Sequence, residues 1–111
     1  MDERDRDLLV LMRDSLQRAQ RWPAEGGPEW TADEKTVAAV AHMIAQLGEL
    51  ARRLSESARA ARPDLPWRDL IGMRNRIYHD YGGLDLERLR ETVEKDLPQL
   101  QEAIDAMLAG A

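Results

Sequence analysis

"TADEKTVAAVAHMIAQLGELARRLSESARA", residues 31–60, carries the most regular pattern in the chain. Its apolar positions Val37, Val40, Ile44, Leu47, Ala51 and Leu54 step by three, four, three, four and three. That spacing lays one apolar stripe along a helix, as packing against near-antiparallel neighbours requires. The opening "TADE" spells a capping box, in which the Thr31 hydroxyl accepts from the Glu34 amide while Glu34 reaches back. A helix from Thr31 to about Ala60 is therefore expected, and it decides the fold class.

The pattern extends outward on both sides. Upstream, Leu9, Met12, Leu16 and Ala19 mark one face of a helix from about Glu3 to Arg21. The prolines and glycines of "WPAEGGPEW" (22–30) are expected to break it. Downstream, "ARPDLP" (61–66) ends the central helix, and a short third helix runs from Trp67 to about Tyr78, stopped by Gly82-Gly83. Asp85 is placed to cap a fourth helix, with Leu86, Leu89, Val93, Leu97, Leu100, Ile104 and Met107 as its seam. Pro98 interrupts that seam: it has no N–H for the Glu94 carbonyl and clashes there. A break or kink near Asp96 is expected, with Pro98 in the first turn of a fifth helix. Nothing alternates with period two over a useful length. Trp22, Trp30 and Trp67 border the loops and are expected to close the bundle ends. The reading is an all-α, up-and-down bundle of four to five helices, with residues 1–111 as one domain.

Composition narrows the setting. Cysteine is absent, which excludes disulfides and thiolate metal sites and suits a reducing compartment. "MDERDRDLLV" lacks the basic start and apolar run of a signal peptide. No stretch reaches the roughly 20 apolar residues of a membrane span. A soluble, cytoplasmic protein without membrane contact is expected.

Charge is unevenly placed within the net −5. Residues 52–79 hold seven arginines against Glu56, Asp64 and Asp69, a local +4, while the flanking segments carry −4 and −5. The basic block ends in "GMRNRIYHDYGG" (72–83), which gathers Arg74, Asn75, Arg76, Tyr78, His79 and Tyr81. Two readings stand: arginines that solvate a helix surface, or an anionic ligand held at residues 72–81.

A histidine titrating near pH 6.5 can act as acid or base, and a guanidinium matches phosphate oxygens bidentately. An amide such as Asn75 can orient the imidazole or donate to a second phosphate oxygen. These groups suit RNA cleavage: deprotonation of a 2′-hydroxyl, stabilisation of a charged phosphorane, protonation of the leaving 5′-oxygen. Cleavage wants both an acid and a base, and one chain supplies one motif histidine; two copies across a twofold axis would supply two. On an ideal helix Arg74 and His79 lie about 140° apart, whereas Asn75 and His79 share a face, as do Arg74, Tyr78 and Tyr81. Residue types alone leave a capping or core-edge histidine open beside catalysis. His42, Gln46, Glu49 and Arg53 share a stripe on the central helix that reads as a polar face, a buried dimer network or a cleft lining. Arg76 and Arg53 are candidate RNA phosphate contacts. With two histidines and no cysteine, no metal-ligand set is visible.

"IGMRNRIYHDYGGLDLERLRETVEKDLPQL" (71–100) resembles the core of HepT-like proteins of the HEPN superfamily, with "AHMIAQLGELARRLSE" (41–56) similar to their second helix and "PDLPWRDL" (63–70) to their linker into the third. The family motif R-x4-6-H falls on Arg74 and His79, with the polar Asn75 after the arginine, and its R-x4-H-x-Y form places Tyr81 in the tyrosine position. Asp80 stands where many relatives have glycine. The resemblance implies a small dimeric helical protein that cleaves RNA without metal or cofactor, using Arg74, Asn75 and His79. It implies the toxin of a type VII-like toxin–antitoxin pair, whose partner, a minimal nucleotidyltransferase, silences it by adenylylating Tyr81. A second reading is a noncatalytic helical subunit that binds the nucleotidyltransferase, or nucleotides, through the same face.

Overall fold

In a computed structural model, residues 1–110 are described; the expected domain end at residue 111 lies outside them. Two long helices, α1 (Glu3–Gly26) and α2 (Glu34–Arg53), form the frame. They run antiparallel: Arg4 Nη1 at the start of α1 donates to the Arg53 carbonyl at the end of α2, over 3.0 Å. The seam residues Val37, Val40, Ile44, Leu47, Ala51 and Leu54 are all buried, against Leu9, Met12, Leu16 and Ala19 of α1. The C-terminal rod also runs antiparallel to α1, since Arg6 Nη1 near one end of α1 donates to the Leu108 carbonyl and Gln20 Nε2 further along donates to Gln101 Oε1. The result is the all-α, up-and-down bundle, supplemented by short helices, and among the described residues no helix is long and apolar enough to cross a membrane.

Helix ends depart from expectation where a competing cap wins. Helix α1 continues past Arg21 through Pro23 to Gly26 and stops only at Gly27, whose φ of 74° is left-handed. A proline in the last turn removes one donor without unravelling the turn after it, whereas glycine accepts the reversal. Thr31 does not cap α2. Asp33, immediately before Glu34, accepts from the Lys35 amide at 3.1 Å and from the Thr36 hydroxyl at 2.9 Å. Thr31 lies in a 3-10 turn (Trp30–Ala32), its hydroxyl accepting from Arg90.

Helix α2 also ends earlier than Ala60. The chain leaves it at Leu54, and Ser55 caps a separate short helix, α3 (Glu56–Ala60). The cause lies 50 residues upstream: buried Asp5 accepts from the Ser55 amide at 2.9 Å and from its hydroxyl at 2.6 Å. Leu54 and Ala58 stay on the apolar stripe across the break, so periodicity reads straight through it. Beyond α3, Trp67 Nε1 donates to the Arg62 carbonyl and the Arg62 guanidinium holds Asp64, fixing the linker.

The expected third helix is two, α4 (Trp67–Ile71) and α5 (Met73–Arg76), hinged at Gly72 and over by Ile77. Helix α4 presses close on α2 at Gly48, where a Cβ would sit 3.0 Å from the Leu70 carbonyl oxygen and 3.1 Å from that of Ile71. Asp85 caps α6 (Leu86–Glu91) as expected, accepting from the Arg88 amide. The expected disturbance before Pro98 is a π-helical turn, Thr92–Asp96, which leads into α7 (Leu97–Leu108) with the proline in its first turn. The wider turn absorbs the missing donor without breaking the rod.

Candidate active site

Residues 77–85 shape the site, and they are not helical. Tyr78 and Leu84 form an antiparallel bridge, and the Asp85 amide donates to the Ile77 carbonyl at 2.8 Å. Between them the His79 amide donates to the Gly83 carbonyl (2.8 Å) and the Gly82 amide to the His79 carbonyl (3.0 Å). Gly82, at φ 104°, takes the left-handed position that such a tight hairpin needs. The glycine pair thus makes a hairpin tip rather than stopping a helix. Tyr78 accordingly sits on the hairpin and not on a helix body.

The hairpin folds His79 back toward α5. Arg74 and Asn75 from the helix, with Tyr78, His79, Asp80 and Gly82 from the hairpin, line one open depression. Five residues of ideal helix would have set Arg74 and His79 apart; leaving the helix at Ile77 removes that constraint. Within the depression the Arg74 guanidinium lies 4.9 Å from the Tyr78 ring centre. Among the described residues Arg74 pairs with no carboxylate, so its charge is offered outward.

Tyr81 joins His79 rather than Arg74. Their rings stack with centroids 4.8 Å apart and planes within 6°, and Tyr81 is 85% exposed. The imidazole has a second neighbour, the residue expected only as the α6 cap: Asp85 Oδ2 lies 3.9 Å from His79 Nδ1. Asp85 thus caps α6 and also lies near His79, six residues earlier in the chain; the signal for that proximity is the glycine pair read as a hairpin.

The other candidates fall elsewhere. Arg76 turns away to Asp96, 3.9 Å between Nη2 and Oδ2, beside Arg88, Glu91 and Thr92. Arg53 closes α2 with its side chain exposed and outside the depression. His42, Gln46 and Glu49 are exposed on α2, and Arg52 Nη2 occupies Glu49 at 2.6 Å, which holds that carboxyl below the ordinary range through its hydrogen bond. Trp30 is buried beneath the Arg90 guanidinium, while Trp22 and Trp67 pack half-buried at the core margin. Among the described residues no three His, Asp or Glu side chains gather as a metal donor set.

The family model for ribonuclease HepT-like proteins matches residues 12–107. This chain belongs to the HepT-like family. A "Probable ribonuclease HepT" of Thermococcus cleftensis is 32% identical over 73 residues, 66% of each chain. Two proteins of Methanocaldococcus jannaschii, each named "Putative RNase", match at 30% over 67 residues (60% of this chain, 62% of the relative) and at 26% over 102 residues (92% and 85%). The first two matches span just under two thirds of those relatives' lengths. No solved structure matches.

Proposed function

We propose that this HepT-like protein is a metal-independent endoribonuclease, the toxin of a pair silenced by a minimal nucleotidyltransferase. The observation that carries the reading is the shared depression: a guanidinium, an amide and an imidazole from two elements line one open surface. It is open enough for a strand of RNA and supplies no apolar enclosure for a small substrate.

The chemistry follows from these groups. His79 of one copy accepts the proton of the 2′-hydroxyl, the freed oxygen attacks phosphorus, and the P–O5′ bond breaks. The second copy's His79, protonated, gives its proton to the leaving 5′-oxygen. The products are a 2′,3′-cyclic phosphate and a 5′-hydroxyl. Arg74 takes two phosphate oxygens in its fork and stabilises the phosphorane, and Asn75 donates a further hydrogen bond. Because each chain brings one motif histidine, the working unit is a homodimer that brings two depressions to one cleft.

Tyr81 supports the second half of the reading. Its ring is the most exposed aromatic surface of the motif and lies on the imidazole. With ATP, its phenolic oxygen attacks the α-phosphorus, pyrophosphate departs, and the phenolic proton goes to a base of the partner enzyme. The adenylyl group adds an anion beside His79 that repels incoming RNA. Expression in a bacterial host tests the whole: growth arrest by the wild type that disappears with His79→Ala supports it. Equal arrest by both contradicts it and favours a noncatalytic subunit.

A further inference from the structure

The hairpin that forms the depression also brings a carboxylate to the back of the histidine. Asp85 is held on three sides. Its amide donates to the Ile77 carbonyl at 2.8 Å, its Oδ1 accepts from the Arg88 amide at 3.1 Å, and its side chain is about three quarters shielded, at 26% exposure. The main chain of His79 is held by its own amide on the Gly83 carbonyl. With Oδ1 committed to the cap, the remaining oxygen, Oδ2, is the one that faces His79 Nδ1 at 3.9 Å. Its other neighbour is Arg88 Nε at 4.0 Å, on a side chain 61% exposed and so largely screened by water.

We propose that Asp85 is the positioning residue of the site: its Oδ2 holds the proton of His79 on Nδ1 and leaves Nε2 as the nitrogen that exchanges protons with RNA. The 3.9 Å separation is beyond hydrogen-bond length for the ring in this orientation. A small rotation of the imidazole toward the hairpin stem closes it. Neutral imidazole carries one proton, and whichever nitrogen a carboxylate faces becomes the donor. When Nε2 takes the 2′-hydroxyl proton, the ring becomes a cation with both nitrogens protonated, and the carboxylate behind it stabilises that cation. Stacked Tyr81 covers one ring face and Asp85 one edge, so the imidazole keeps a single outward nitrogen. The inference rests on the ribonuclease reading only for what Nε2 does next; the tautomer is a property of the free protein.

Asp85→Asn separates the cap from the histidine contact. Asparagine caps helices about as well as aspartate; with its oxygen on the Arg88 amide, it turns an N–H2 donor toward Nδ1. In 15N-labelled protein, above the pH at which the imidazole loses its charge, the wild-type His79 should be chiefly the Nδ1–H tautomer. In Asp85→Asn it should change to Nε2–H. His42→Gln leaves one imidazole and makes the assignment unambiguous. RNA cleavage by Asp85→Asn should fall on the order of 10- to 100-fold in kcat with KM little changed. A wild-type His79 found chiefly as Nε2–H overturns the proposal by itself, whether or not the variant folds. So does an active wild type matched in kcat by folded Asp85→Asn. The predicted tautomer in a wild type that cleaves no RNA leaves the positioning role standing and removes the ribonuclease reading instead.

Discussion

Tyr81 lies flat on His79, ring centres 4.8 Å apart and planes within 6°. The acceptor proposed for the silencing group therefore rests on the proposed general base itself. A change at the phenol reaches the chemistry with no conformational relay. Tyr78, three residues before Tyr81 and directly preceding His79, is instead half-buried under Arg74.

From this contact, Tyr81→Phe should keep most cleavage, since phenylalanine preserves the stacked ring, yet escape the nucleotidyltransferase because it has no acceptor oxygen. Mass spectrometry after incubation with the partner enzyme, ATP and Mg²⁺ should place AMP on Tyr81 of the wild type. AMP on Tyr78, or on neither tyrosine, removes this part of the account.

The two motif arginines should behave differently. Among the described residues Arg74 meets no carboxylate and lines the depression, whereas Arg76 faces Asp96 at 3.9 Å outside it. Arg74→Lys keeps the charge but loses the bidentate fork, and should cost on the order of 10-fold or more in kcat/KM. Arg76→Ala should cost less than about threefold. Equal losses would show that the site uses net charge and not geometry.

A homodimer is expected because one chain offers one motif histidine. Light scattering should give twice the chain mass at concentrations where RNA is cleaved. Full cleavage by a monomer would remove the two-histidine mechanism.

Asp5 offers a test of the fold independent of RNA. The Ser55 hydroxyl, then its amide, holds the Asp5 carboxyl below its ordinary range in opposition to burial. A carboxyl with a depressed folded pKa contributes stability that is complete above the unfolded value, about 3.9, and is lost as pH falls through the folded one. Acid unfolding of the wild type should therefore lose this contribution below about pH 4. Asp5→Ala should lower stability by about 1–3 kcal/mol at pH 7 in denaturant titrations, and lose less on acidification. No change at neutral pH would mean that the contact joining α1 to the α2–α3 junction is worth nothing.

How far the sequence could be read follows from the range of each interaction. The seams of α1, α2 and the α6–α7 rod are periodic, and burial follows them except at Leu86, the first expected seam residue of α6, which is 44% exposed. What escaped was competition between neighbours or across the chain. Asp33 outcompetes Thr31 for the cap of α2, and Asp5 breaks α2 at Ser55 from a position 50 residues away. Pro98 was readable because its missing donor acts locally. At the site, the residue types were visible, but helical projection set Arg74 and His79 on different faces. The glycine pair builds a hairpin, and that hairpin brings them to one depression with Asp85 behind. A tight turn after a helix looks, in one sequence, much like a helix cap, because glycine serves both.

In the proposed mechanism Arg74 and His79 form a ribonuclease centre that needs no metal. Its most direct test is cleavage of a defined tRNA by protein stripped with EDTA, comparing the wild type with His79→Ala and reading the new ends. The wild type should leave 2′,3′-cyclic phosphate and 5′-hydroxyl ends, with a loss on the order of 10²–10⁴-fold in His79→Ala. Cleavage that survives in His79→Ala, or that appears only when a divalent cation is restored, would contradict that mechanism.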